Sequence, residues 1–423
     1  MAVYERAMTR PEQGVILCGG LGKRLRPFTD RMPKPMIPCN GKPFLWYLLR
    51  QLHEQGVSRF VLLTGYLAEE IEEYFGDGSR WGWQIVYSEG PVQWDTGRRL
   101  WESRSLLDAR FLLCYCDNFV PFSFGKVLRR HERHGLSLTF MISRKSPGNI
   151  AVGKNGIVQQ YDKNRSIEVC DFVEIGYMVV ERDRTFAFYE QPDCSFSTIL
   201  QKMAENREIS AWLQGDAYHS ISDPERWKKT EAYLKPKKVL LIDRDGVINR
   251  KAPQGEYITT WEEFEWIAET REAMKSLSEN GYSFVVISNQ AGIGRGVVSR
   301  KAVDEINRRM VEELRRVQIP IEGVYLCPHH WEDECNCRKP EPGLFFKASQ
   351  DLLLNLEQTF FIGDDPRDCI AAYNAGCRSI YIGDKANLSN LKRRHWPDLV
   401  VQDMTGCTKY LIEEMDAIFR NDD

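Results

Sequence analysis

Lys238-Val-Leu-Leu-Ile-Asp243-Arg-Asp245-Gly-Val-Ile-Asn249 decides how the second half of the chain is read. Residues 239–242 form a short, unbroken apolar run that stops at an aspartate, as suits a strand covered on both faces. Two carboxylates two residues apart at the end of such a strand suit phosphoryl transfer. One can attack phosphorus and form an aspartyl-phosphate. The other can protonate the leaving oxygen and then deprotonate water. Clustered anions facing a phosphate repel it, so this chemistry calls for Mg²⁺.

The same design recurs outward from that stretch. Strands are expected at 283–287 and 359–363, and helices at 261–280 and 299–317. Ser288 can hydrogen-bond a phosphoryl oxygen, Lys339 can balance its charge, and Asp364 with Asp365 can complete a metal site. All of these follow or flank predicted strand ends, where open α/β sheets bind ligands. The ordered set resembles the haloacid dehalogenase superfamily of phosphatases over residues 237–383. The resemblance implies Asp243 as nucleophile, Asp245 as acid/base, and Ser288 and Lys339 as phosphoryl binders. It implies Mg²⁺ on Asp243, Asp245 (usually through its backbone carbonyl) and Asp364, with Asp365 and Asp368 ranked behind them.

Cys327-Pro-His329-His330 is followed by Cys335-Asn-Cys337. Three thiolates and an imidazole make a closed tetrahedral set for Zn²⁺, with no open position for water, so the site reads as structural. His329 is the preferred imidazole and His330 the competitor. The metal would pin the loop 327–337 that leads into Arg338 and Lys339. With Asn289-Gln-Ala-Gly-Ile-Gly-Arg295, the cluster resembles the zinc-containing branch that includes heptose bisphosphate and histidinol phosphatases. That resemblance implies substrate contacts from Asn289, Arg295 and Arg338.

The first half opens with another buried run, Gly14-Val-Ile-Leu-Cys18, leading into Gly19-Gly20-Leu-Gly22-Lys23-Arg24. Glycines there let the backbone approach a polyphosphate, and successive N–H groups can cradle an anion. Lys23, Arg24 and Arg26 supply cations, and Pro33-Lys34-Pro35 holds a rigid turn. Neither the P-loop nor the dinucleotide fingerprint is matched. The string Gly19-Gly20-x-Gly22-x-Arg24-Leu25-x-Pro27, with Pro33-Lys34-Pro35-Met36 and Lys42-Pro43, resembles the sugar-1-phosphate nucleotidyltransferases. It implies that Gly19, Gly20, Gly22 and Arg24 hold the nucleoside triphosphate, with Arg24 and Lys34 catalytic. It also implies that Asp117 binds Mg²⁺ and that Lys163 and Glu174 contact the sugar phosphate. Two positions depart from that pattern. Asp95-Thr96-Gly97-Arg98 stands where the family has a glycine-rich turn that admits the base and sugar. Ser220 stands where a second metal-binding aspartate is expected, with Asp223 or Asp216 as candidates to compensate.

Helices expected at 44–55 and 68–75 alternate with strands at 60–63 and 83–87, the signature of βαβ units. A closing helix at 224–233 gives way to Leu234-Lys-Pro-Lys-Lys238, where the pattern breaks. The expected architecture is α/β throughout. Two doubly wound, mostly parallel-sheet domains follow one another, Rossmann-like over 1–235 and haloacid dehalogenase-like over 236–423. A chain of 423 residues holds two large domains comfortably. At 43% hydrophobic and 28% charged residues it is no disordered chain. With 57 Lys+Arg against 60 Asp+Glu it presents no broad cationic surface, so no nucleic-acid partner is expected. No uncharged apolar run approaches the ~20 residues that span a bilayer, and residues 1–13 lack the apolar segment of a secretory signal. A cytoplasmic location, no membrane partner and reduced cysteines follow.

The two resemblances share an intermediate. Removing the distal phosphate of a heptose 1,7-bisphosphate leaves heptose 1-phosphate, the acceptor for nucleotide activation. The expected substrates are therefore sugar phosphates and a nucleoside triphosphate, with GTP preferred by resemblance to heptose-1-phosphate guanylyltransferases. Two alternatives stand beside this bifunctional expectation. One is a phosphatase carrying a non-catalytic binding module; the other is a histidinol-phosphate phosphatase fused to an unrelated transferase.

Overall fold

The computed structural model describes residues 11–165, 170–215 and 217–420, with backbone alone for 415–420. Asp216 lies outside the described residues. The chain divides into two compact units, Met1–Leu234 and Lys235–Asp423.

Unit 1 is built on one nine-stranded sheet. Its strands are β1 (Gln13–Leu17), β2 (Arg59–Leu63), β3 (Gln84–Tyr87), β4 (Arg110–Tyr115), β5 (Leu138–Arg144), β6 (Ile150–Val152), β7 (Val158–Tyr161), β8 (Phe172–Glu181) and β9 (Ile209–Leu213). The order runs β7-β6-β8-β4-β1-β2-β3, with β5 against β8 and β9. Pairing is parallel around β1 and antiparallel around β8, so the sheet is mixed. Every residue of β1 is buried, as expected for a strand covered on both faces. The helix Phe44–Glu54 lays Phe44, Leu45, Leu48, Leu49 and Leu52 into the core.

Unit 2 is a six-stranded sheet in the order β12-β11-β10-β13-β14-β15, every pair parallel. Its strands are β10 (Val239–Ile242), β11 (Ser283–Asn289), β12 (Ile321–Cys327), β13 (Phe360–Gly363), β14 (Arg378–Ile382) and β15 (Leu399–Val401). Side chains alternate between two cores. Leu240, Ile242, Phe284, Val286, Phe360 and Ile362 enter one; Leu241, Val285, Ile287 and Phe361 enter the other. Consecutive apolar residues in one strand therefore fill both layers. The central strand β10 comes first in the chain, and its neighbour β13 follows about 120 residues later.

The expected helix over 261–280 is shorter in the structure, Ala268–Glu279. Asn249 and Trp266 form an antiparallel bridge that holds this segment extended. Trp261, Phe264 and Trp266 pack on one another instead, with Trp261 and Phe264 stacked 4.8 Å apart. The aromatic contacts outweigh a helical pattern that the same residues also satisfy. Among the described residues, no helix is long and apolar enough to cross a membrane.

Candidate active sites

The carboxyl ends of β11, β10 and β13 lie side by side in unit 2 and carry Ser288, Asp243 and Asp364. Asp243 is buried. Its Oδ1 accepts the Arg244 N–H at 2.7 Å, and Lys339 Nζ stands 2.8 Å from its Oδ2. Lys339 is 3% exposed, bridges to Asp368 Oδ1 at 2.9 Å and donates to the Ile287 carbonyl. A lysine so deep keeps its charge because two carboxylates flank it. Burial works against the ammonium, but Asp243 and Asp368 raise its pKa above the ordinary value. Burial pushes Asp243 up to about 7, with Lys339 pulling down and Asp368 adding to the rise.

Asp243, Asp364 and Asp368 bring one carboxylate oxygen each within 4.8 Å of one another. Asp364 Oδ1 is buried without a hydrogen-bond partner, and its Oδ2 pairs with Lys251 Nζ at 2.5 Å. Three hard carboxylates, one with an unengaged buried oxygen, fit a hard divalent cation. The resemblance implies a metal contact from Asp245 through its backbone carbonyl and ranks Asp368 behind Asp364. In the structure the Asp245 carboxylate faces elsewhere, towards Arg244, Asn249 and Gln290, while Asp368 joins the cluster. The reason is local: Asp368 sits at the third position of the helix Pro366–Ala375, closing a capping box with Asp365. Asp365 turns outward to Arg367. Despite burial, the bidentate guanidinium holds it down at about 2.

The Asp245 carboxylate is held in place by donors from Arg244, Asn249 and Gln290. Arg244 is 1% exposed; it grips both Asp245 oxygens at 3.0 Å and donates to Asn307. Gln290 Nε2 donates to Asp245 Oδ2 at 2.6 Å and to Ser288 Oγ at 2.8 Å, tying the two candidates together. Asn289 clamps the Lys339 backbone, accepting its N–H at 3.0 Å and donating to its carbonyl at 3.1 Å. Arg295 lies against the Tyr257 and Trp331 rings, and Arg338 Nη1 is buried without a partner. Arg244, Gln290, Asn307 and Lys251 do not stand out in the sequence. Only Gln290, inside the quoted Ser-Asn-Gln string, carries a signal there.

Gly246 is where this loop most depends on glycine. Its φ is +97°, and a Cβ would meet Asp364 Oδ2 at 2.2 Å and Lys251 Cε at 2.5 Å. Gly246→Ala should therefore displace Asp364 and lower turnover about 100-fold, since an ångström of misplacement is worth that much. Steady-state kinetics on the folded variant measures it, with far-UV dichroism confirming the fold.

Cys327, His329, Cys335 and Cys337 also converge, with ligand atoms 3.2–3.6 Å apart along the closest pairs. Thiolates about 2.3 Å from a tetrahedral centre lie about 3.8 Å apart, so the set fits Zn²⁺. His330 is not in it; its side chain caps the turn Trp331–Asp333.

In unit 1 a cavity of about 380 Å³ is lined by Gly19, Gly20, Gly22, Lys23, Arg24, Lys34, Asp117 and neighbours. Gly22 has φ +60° and packs on Thr29 and Lys34. Lys34 Nζ pairs with Asp117 Oδ2 at 2.5 Å. Ser220 pairs with Asn118, and the next residue, Ile221, donates its N–H to the Asp117 carbonyl, but the buried Ser220 Oγ is engaged with Ser222 and Arg226. Ser222 lines the cavity instead. Asp223 caps the helix Pro224–Leu234 by accepting the Arg226 N–H. Lys163 is exposed and donates to Thr198, outside the cavity lining. Of the departures near Pro91, Asp95 caps the helix Thr96–Ser103 and Arg98 turns out to Glu102 and Asp193. The next residue, Arg99, enters the cavity wall and is 5% exposed.

Glu174 accepts the Gly176 N–H at 3.0 Å, yet burial, with Asp117 nearby, pushes it up to about 7. The folded state thus prefers its proton. The stability it lends is complete below the ordinary carboxyl range near pH 4.3 and is lost as pH rises through 7. Glu174→Gln should flatten the pH dependence of unit 1 melting across that window, by an amount of the order of 2 kcal/mol. Thermal unfolding at pH 5 and pH 8 reads it.

Comparison with known proteins agrees with both units. Residues 13–174 match the family model described as nucleotidyl transferase, and residues 238–405 the one described as polynucleotide kinase 3 phosphatase. A D-glycero-beta-D-manno-heptose-1,7-bisphosphate 7-phosphatase of Helicobacter pylori is 37% identical over 139 residues, 33% of this chain and 79% of that protein. The D,D-heptose 1,7-bisphosphate phosphatase of B. bronchiseptica, solved with magnesium and phosphate, is 26% identical, covering 42% of this chain and 99% of its own, TM-score 0.38. HddC from Yersinia pseudotuberculosis is 20% identical, covering 53% of this chain and 99% of its own, TM-score 0.45. A nucleotidyltransferase domain is thus joined in one chain to a phosphatase domain, and through the latter the chain belongs to the heptose-1,7-bisphosphate 7-phosphatase family.

Proposed function

We propose that this chain is a Mg²⁺-dependent phosphatase that removes the 7-phosphate of D-glycero-D-manno-heptose 1,7-bisphosphate, and that the nucleotidyltransferase domain handles the product, heptose 1-phosphate. The domains are taken as 1–235 and 236–423, with 327–337 as the zinc loop. The observation that carries the phosphatase reading is the Asp243–Lys339–Asp368 arrangement with Asp364 beside it. Asp243 attacks phosphorus and Asp245, oriented by Arg244 and Gln290, protonates the departing sugar oxygen. Ser288 and Lys339 receive the phosphoryl oxygens. Asp245 then takes a proton from the water that cleaves the aspartyl-phosphate. Mg²⁺, held by Asp243, Asp364 and Asp368, would neutralise charge on the phosphate when bound. Asn289, Arg295 and Arg338 hold the sugar end, and Cys327, His329, Cys335 and Cys337 would hold Zn²⁺, which when bound would fix the loop that carries Arg338 and Lys339.

For unit 1, two uses of heptose 1-phosphate are open. In one, Arg24 and Lys34 hold a triphosphate, GTP preferred, and Asp117 holds Mg²⁺ while the sugar phosphate attacks and pyrophosphate leaves. In the other, the unit binds without transfer. The second is favoured by neutral Ser220 at the second acid position. Incubating the full chain with heptose 1,7-bisphosphate, Mg²⁺ and each nucleoside triphosphate decides the matter. Phosphate with pyrophosphate supports transfer; phosphate alone supports binding. No phosphate from the heptose substrate, with turnover of histidinol phosphate, overturns the sugar reading.

A further inference from the structure

Arg295 is exposed, yet two aromatic rings hold its guanidinium. The guanidinium carbon lies 5.7 Å from the centre of the Tyr257 ring and 5.4 Å from that of Trp331. Its Nη1 donates to the Tyr257 hydroxyl at 3.3 Å. The three residues come from three separate segments of unit 2. Two glycines of the short helix Ala291–Gly294 let those segments close together. A Cβ on Gly292 would meet the Tyr257 ring at 2.9 Å. One on Gly294 would meet the His330 nitrogen at 2.7 Å and the Pro328 carbonyl oxygen at 2.8 Å.

Trp331 is itself aimed by its neighbours. Its ring lies 3.8 Å from that of His330. His330 and Asp333 form a capping box around the turn: His330 Nδ1 accepts the Glu332 N–H at 3.3 Å, and Asp333 Oδ2 accepts the His330 N–H at 2.8 Å. The turn is thus ordered by protein groups, while Trp331 stays 55% exposed. A scattered apolar side chain on a surface needs no explanation. This one lines a cavity of about 500 Å³ that is also lined by Arg338 and Lys339. The same ring therefore meets Arg295 and walls the space beside the lysine that faces Asp243.

A free arginine must lose rotamer freedom when it grips a ligand. One already flanked by two π faces has lost much of it beforehand. That contribution is the same before and after the phosphoryl bond breaks, so it belongs to substrate capture and not to the chemical step. We propose that Trp331 and Tyr257 are positioning residues that fix Arg295 for the sugar end of the bisphosphate. The loop that leads to Lys339 at the phosphoryl end thereby sets recognition at the far end as well. This rests on the reading that Arg295 holds the sugar end of heptose 1,7-bisphosphate.

The test is steady-state kinetics on the full chain with heptose 1,7-bisphosphate and with p-nitrophenyl phosphate, which offers a phosphoryl group and no sugar. Trp331→Ala should raise KM for the bisphosphate about 10-fold, the scale of a cation–π contact that is lost. Its kcat should not change, and neither should kcat/KM for p-nitrophenyl phosphate. Trp331→Phe keeps a π face and should stay within about 3-fold of the parent KM. In an Arg295→Ala background, Trp331→Ala should add less than about 2-fold, because nothing is left to position. Trp331→Gln serves if alanine does not fold. An unchanged KM for the bisphosphate, an equal loss on p-nitrophenyl phosphate, or full additivity with Arg295→Ala overturns the proposal while the parent still turns over the heptose. A parent chain that hydrolyses p-nitrophenyl phosphate but not heptose 1,7-bisphosphate overturns the sugar reading, and this proposal with it.

Discussion

Asp243→Asn should lower phosphate release from heptose 1,7-bisphosphate by about 10⁴-fold or more, the scale on which removal of a catalytic nucleophile is felt. The amide keeps the size and the Arg244 N–H contact but cannot form the acyl-phosphate. The variant should fold at least as well as the parent. Asp243 is buried beside Asp364 and Asp368, so removing one of three crowded anions relieves repulsion even as Lys339 loses a partner. Kinetics with a melting curve separate the two effects. Retained turnover by a folded Asp243→Asn chain would exclude covalent catalysis at this residue, as would failure to trap a trifluoroberyllate adduct under turnover conditions.

Cys335→Ser should lose bound zinc and lower the melting temperature of unit 2 by roughly 10 °C, because a structural metal contributes its binding energy to folding. The activity effect should exceed the stability effect. Only Arg338 separates Cys337 from Lys339, and Asn289 grips the Lys339 backbone from β11. A loosened loop displaces the ammonium that sits 2.8 Å from the Asp243 carboxylate. Metal analysis, a thermal melt and an activity assay at a temperature where the variant is folded give three readouts. An unchanged melt in a zinc-free variant would reject the structural role.

What residues alone reveal follows from where each signal lives. Strands β10, β11 and β13 are legible because a short unbroken apolar run between turns suits little besides a strand covered on both faces. Each also ends at a chemically distinctive residue: Asp243, Ser288, Asp364. The four candidate zinc ligands are legible because their spacing brings them together within one loop. Asp368 is hidden because its place depends on a helix cap that reverses which of two nearby acids points inward. Arg244 looks like a filler between two aspartates; only the fold shows its side chain buried and reaching Asn307, 63 residues on. Arg99 is hidden in the same way. In the Arg98-Arg99 pair the sequence marks neither as inner or outer, and helix phase decides: Arg98 faces Glu102 and solvent, Arg99 the cleft. The segment 261–267 reads as helix because an aromatic cluster and a helical stripe make the same pattern.

The strand order of unit 2 sets a schedule for its birth on the ribosome. β10 is synthesised first but flanked on one side by β13, whose residues emerge about 120 positions later. Until then the nascent sheet has an open apolar border where its middle will be, and non-local pairing of this kind closes slowly. A chain cut short of Gly363 would keep Asp243 on an unprotected edge, inviting aggregation rather than leaving a smaller working enzyme.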